Sequence, residues 1–158
     1  MLEASQLDPA KALRKVNATL ERHSPMSQPA AITALYRYPV KGLSAEPLPD
    51  ARLVAGEHFP GDRVFAIENG PSGCDPAYPQ HQPKHKFLVL ARQAALAKLK
   101  TRYDDATGSL AIVSDEVEAA RGDLATPAGR TAIEDFFRAF LGKELAGEPK
   151  VLEGPAGF

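Results

Sequence analysis

Lys41 and Arg63 are the two side chains whose setting suits chemistry on an anion. Lys41 follows Tyr36-Arg37-Tyr38-Pro39-Val40 and precedes Gly42-Leu43, and Arg63 follows Pro60-Gly61-Asp62 and precedes Val64-Phe65. An ammonium offers a point charge and a guanidinium a planar fork, and both suit phosphate or ring oxygens. Gly42, without a Cβ, lets the backbone approach a ligand closely. Ordinary turn chemistry also explains both segments: a solvated Lys after one turn, and an Asp–Arg pair after a Pro-Gly turn.

Two strands must position these cations. Ile32–Tyr38 is rich in β-branched, aromatic and aliphatic residues, with Ile32, Tyr36 and Tyr38 on one face of a period-2 element. Pro39 removes a ladder donor and holds Tyr38 extended, so the strand ends there. Val64–Ile67 is a second apolar strand, closed by Asn69-Gly70-Pro71. If the two strands are neighbours, Lys41 and Arg63 project at the same rim.

The remaining pattern is mostly β. Arg52-Leu53-Val54 reads as a short strand between Pro-rich segments and Gly56. A helical turn is expected near Ala91–Ala95, then a strand over Ala97–Tyr103, where Leu99, Thr101 and Tyr103 alternate with Lys98, Lys100 and Arg102. That alternation predicts exposed cations, with Leu99 and Tyr103 buried. Asp104–Gly108 is the hairpin loop and Ser109–Val113 the return strand. Thr126 can cap a helix with Pro127 at its first position. Ile133, Phe136, Phe137, Phe140 and Leu141 then fall on one stripe, Gly142 ends the helix, and Glu148–Leu152 is a possible strand.

Residues 1–30 read as an appendage. Asp8 and Pro9 can open a helix with Leu13, Val16 and Leu20 on a narrow stripe, and Met26 is a natural second start. The expected organisation is thus an N-terminal helical extension, 1–30, and one domain, 31–158. The fold class is α+β: a small, mostly antiparallel β-barrel or folded sheet with a C-terminal amphipathic helix.

Composition narrows the function. The chain has 158 residues, 44% hydrophobic and 25% charged, as in ordinary globular domains. A net charge of −1 gives no reason to expect nucleic acid or an anionic membrane. The single cysteine excludes an internal disulfide, which fits a reducing compartment. No apolar run approaches the ~20 residues of a membrane span, and the N-terminus lacks a secretory pattern. The expected location is cytoplasmic.

Other constellations read as local structure. Residues 69–85 are a long polar loop with Cys74, His81 and His85. Their spacing fits no zinc signature, so no metal site is expected there. Asp104, Asp105, Asp115, Glu116 and Glu118 fall where solvated turn carboxylates are usual, and no catalytic residue is assigned. Tyr36, Tyr38 and Phe65 could stack bases while Arg37, Lys41 and Arg63 hold phosphates, which keeps an oligonucleotide-binding barrel as one alternative. A non-catalytic interaction module is the other.

Tyr38-Pro39-Val40-Lys41-Gly42, with Gly61-Asp62-Arg63-Val64-Phe65-Ala66-Ile67 about twenty residues later, resembles the N-terminal β-barrel domain of the MOSC family. The resemblance runs from about Ile32 to Phe158. It implies that Lys41, Gly42 and Arg63 contact the molybdenum cofactor (molybdopterin) from the barrel side. The family often has Ser at position 42, so Gly42 here offers only its backbone N–H. It also implies a MOSC C-terminal domain, in cis or trans, that carries the metal-ligating cysteine, and a redox partner. The parent activity it implies is molybdenum-dependent reduction of N-hydroxylated compounds. The chain ends where that second domain is expected to begin, so on this reading it is inactive alone and holds the cofactor only beside a MOSC domain.

Overall fold

The computed structural model describes residues 30–75, 78, 80–154 and 158. The expected leading helix and Met26 lie outside the described residues. The unit that carries the candidate site is Ala34–Phe158.

Among the described residues seven strands and one α-helix build it, in the order β1 (Leu35–Arg37), β2 (Glu46–Leu48), β3 (Phe65–Asn69), β4 (Leu99–Asp104), β5 (Ser109–Ser114), β6 (Val117–Asp123), α1 (Pro127–Leu141) and β7 (Pro149–Glu153). The strands pair antiparallel in three small sheets: β1–β2, β3–β7 and the meander β4–β5–β6. The architecture is therefore mixed, mostly antiparallel strands with one C-terminal helix.

No closed barrel forms among the described residues, which corrects that part of the expectation. The reason lies at the edge of β4. Two of its backbone N–H groups take side-chain acceptors in place of a neighbouring strand: Thr101 N donates to Ser44 Oγ at 2.7 Å, and Tyr103 N to Glu46 Oε2 at 2.9 Å. Donors satisfied in this way need no further ladder. β1 and β2 are also too short to extend one, and Pro47 sits opposite Tyr36 with no N–H to give.

The hydrophobic pattern of α1 sets the core. Thr126 Oγ1 accepts from Gly129 N at 3.1 Å, Pro127 takes the first turn, and Gly142 ends the helix with φ +50°. Ile133, Phe137 and Leu141 are buried, against Leu110 and Ile112 of β5 and Val151 of β7 in one cluster. Phe136 and Phe140 stack at 5.4 Å, half-buried. The side chain of Glu134 ties helix to sheet by accepting from Val151 N at 2.8 Å.

Several expectations need correction. The first strand begins at Leu35, and Ile32 is 82% exposed. Arg52–Val54 is not a strand: Leu53 and Val54 are exposed, and the chain pairs earlier, at β2. The helical turn lies at Ala94–Lys98, so the following strand starts at Leu99. Lys98, Lys100 and Arg102 are exposed and Leu99 is buried as the alternation predicts, but Tyr103 is only half-buried. β6 carries Glu118, which the sequence reading placed in a connector.

Arg37 explains how β1 is anchored. Its buried guanidinium donates to Glu46 of β2 and, at 2.8 and 2.6 Å, to Asp105 of the β4–β5 loop. Asp105 is therefore a structural partner and not merely a solvated turn carboxylate. A charge at this depth is tolerable because every side of it is paired.

Candidate functional site

The turn that carries Lys41 is fixed from both ends. Val40 and Leu43 are buried, and Leu43 N donates to Val40 O at 3.2 Å. Gly42, third in that turn, has φ +80°, as a type II turn requires. Space also demands glycine: a Cβ there would lie 2.3 Å from the Leu88 carbonyl oxygen.

The segment bearing Arg63 lies directly against this turn. Arg63 N donates to Tyr38 O at 2.6 Å, Phe65 N to Pro39 O at 3.1 Å, and Lys41 N to Phe65 O at 2.8 Å. Val40 and Phe65 form a parallel bridge. The two motifs are neighbours as expected, but the pairing runs through residues 38–41, after Pro39, while β1 itself pairs with β2. Arg63 has φ +53°, which is uncommon for a residue with a Cβ. Bonds on both sides hold it there, since its carbonyl accepts from Phe158 N at 3.0 Å. Asp62 serves the same clamp. Its carboxylate accepts from Tyr38 N at 2.7 Å and lies 3.2 Å from the Arg63 guanidinium.

Lys41, Gly42 and Arg63 line one cleft of about 880 Å³. The Lys41 ammonium rests 4.5 Å from the centroid of the Phe87 ring, and the Arg63 guanidinium 5.8 Å from that of Tyr38. His81, Lys84, His85 and Arg92 line the same cleft, and among the described residues no Asp or Glu does. The sequence reading missed this arm by treating residues 69–85 as a polar loop. A usable signal was present, because residues 76–92 contain several basic side chains and no acid.

A family profile described as the MOSC N-terminal beta barrel domain matches residues 29–139. The chain belongs to the MOSC N-terminal domain family. No curated protein and no solved structure matches it. The MOSC family is generally associated with the molybdenum cofactor. The matched span holds all three cofactor-binding candidates and the basic arm of the cleft.

Other candidates in this MOSC N-terminal domain have structural places. Cys74 is half-buried beside the cluster of Ala66, Phe87 and Leu152, and burial, then Glu68 and Asp75, push its thiol pKa up. That is the opposite of an activated thiolate. Among the described residues no group of three His, Cys, Asp or Glu side chains could hold a metal ion. Glu116 pairs with Lys100 at 2.6 Å and Glu118 with Arg121 at 2.5 Å. The base-stacking alternative loses two of its residues, because Phe65 is 3% exposed and Arg37 is buried in its ion network.

The surroundings of Lys41 disfavour its charge. Burial lowers its pKa first, and the neighbouring Arg63 and Lys84 charges lower it further. The charged form is thus disfavoured by folding. Between the lowered folded value and the ordinary lysine value the unfolded chain binds more protons, so stability rises with pH across that window. Below the folded value the penalty is fully present. Lys41→Met should therefore raise the melting temperature at pH 7, and its advantage should shrink as pH climbs into the lysine range. Thermal denaturation at the two pH values checks this. A lower melting temperature for the variant at pH 7 would mean that the Phe87 contact outweighs the penalty.

Proposed function

We propose that this chain forms one wall of a molybdenum-cofactor site, with Lys41 and Arg63 holding the anionic phosphate end of the pterin. The observation that carries this reading is the convergence of two cations from distant motifs on one cleft. Gly42 lines the same cleft, where its backbone N–H is the donor it can offer. The donor set suits the group: an ammonium, a guanidinium fork and further basic side chains, facing a strongly anionic ligand. A MOSC C-terminal domain, in cis or trans, supplies the opposite wall and the thiolate that ligates the metal. When bound, the cofactor supplies two-electron molybdenum chemistry for reducing N-hydroxylated or related N–O and S–O compounds, with electrons from a redox partner. The part of this chain is to bind and orient that group. On this reading the chain works in the cytoplasm, as the N-terminal domain of an oxidoreductase.

The test on the isolated chain uses inorganic pyrophosphate as the probe. Titration followed by amide chemical shifts should perturb Lys41, Gly42 and Arg63. Arg63→Gly removes the fork while easing the φ +53° backbone, and should weaken binding about 10- to 100-fold, the size of one charge-assisted contact. Wild-type affinity in a Lys41→Met, Arg63→Gly double variant would remove these residues from the site.

A further inference from the structure

We infer that the cleft has a second bank of cations, Lys84 and Arg92 beside His81 and His85, and takes a ligand that carries more than one anionic group. This deepens the reading above and rests on it for the first bank.

The second bank is built. Lys86 N donates to Pro83 O at 3.0 Å and Phe87 N to Lys84 O at 3.1 Å, which closes the turn bearing Lys84 and His85. Phe87 then bridges to Glu68 of β3, Leu88 N donates to Ile67 O at 2.8 Å, and both apolar side chains are buried. Beyond them Arg92 N donates to Val89 O at 2.9 Å. Gln93, 3% exposed, caps the same turn by accepting from Val89 N at 3.1 Å. The backbone under Lys84, His85 and Arg92 is therefore pinned at several points.

Its charges are also unspent. Arg37, Arg121, Arg130 and Arg138 each sit against a carboxylate. Among the described residues no Asp or Glu lines the cleft beside Lys84 and Arg92. Lys84 and Arg92 share the cleft with Lys41 and with Arg63, whose charge Asp62 partly offsets, and an anion relieves the remaining repulsion. Size argues for more than one anionic group. About 880 Å³ lies toward the upper end of the range for whole small-molecule ligands, far beyond a lone phosphate.

Orthophosphate and tripolyphosphate distinguish one occupied bank from two. On the full chain, tripolyphosphate should bind at least about tenfold tighter and shift the amides of Lys84, His85 and Arg92 together with those of Lys41 and Arg63. Lys84→Gln with Arg92→Gln should abolish that advantage while leaving the shifts at Lys41, Gly42 and Arg63. Lys98→Gln with Arg102→Gln removes the same charge from two exposed positions, one ending the helical turn and one on β4, and should leave the advantage intact. Equal affinities for the two probes, or equal losses in both double variants, would overturn the second bank while the first stands. Failure of the Lys41 and Arg63 amides to respond to either probe would overturn both readings.

Discussion

Phe137→Ala should lower the stability of the domain by about 3–5 kcal/mol, the cost of deleting a fully buried aromatic ring. Phe137 is 0% exposed, midway along the buried stripe Ile133–Phe137–Leu141, and meets Phe136 edge-on at 5.2 Å. Its neighbours come from the helix and two sheets, so the cavity cannot close by moving one side chain. Phe140→Ala, half-buried on the same helix, should cost clearly less. Urea denaturation of both variants measures the difference. A loss below about 1 kcal/mol for Phe137→Ala would contradict the core described here.

Gly42→Ser should destabilise the chain more than a surface change at a glycine of similar backbone. A left-handed conformation costs a residue with a Cβ about 1–3 kcal/mol. Overlap with the Leu88 carbonyl adds to that, because backbone at 2.3 Å cannot move aside without disturbing the buried Phe87–Leu88 segment. Gly56→Ser isolates the first contribution: its φ is +84° and nothing lies within 4 Å of its added Cβ. Denaturation midpoints should fall in the order wild type, Gly56→Ser, Gly42→Ser. Equal losses in the two variants would show that the Leu88 contact is not limiting.

How much of this was legible in the sequence depended on the range of the interactions. The helix Pro127–Leu141 was readable to its ends, because Thr126, Pro127, Gly142 and the apolar stripe are all local signals. The β4–β5 hairpin was readable from alternation around Asp104–Gly108. β2 was hidden by Pro47, which argues against a strand unless its partner asks nothing of it. β6 was hidden because only Gly122 among its residues is buried, so it carries little alternation, and its pairing shifts register near Ile112 and Val113. The open sheet arrangement could not be read, since it depends on Ser44 and Glu46 acting as acceptors for residues 57 positions away. The same holds for Arg37, whose partner Asp105 is 68 positions distant. For the site, motif spacing named Lys41, Gly42 and Arg63, but the arm from His81 to Arg92 is tied to β3 by the bridge of Phe87 to Glu68 and the bond from Leu88 to Ile67, which local sequence does not show.

The most direct test of the central claim is cofactor retention in a fusion of this chain to a MOSC C-terminal domain. Molybdenum by elemental analysis and pterin fluorescence after denaturation are measured on the purified fusion, on Arg63→Ala and on the Lys41, Arg63 double variant. Arg63→Ala should retain about 10- to 100-fold less cofactor at limiting supply, and the double variant less again. Undiminished molybdenum and pterin in a folded double variant would contradict the assignment of Lys41 and Arg63 to the cofactor.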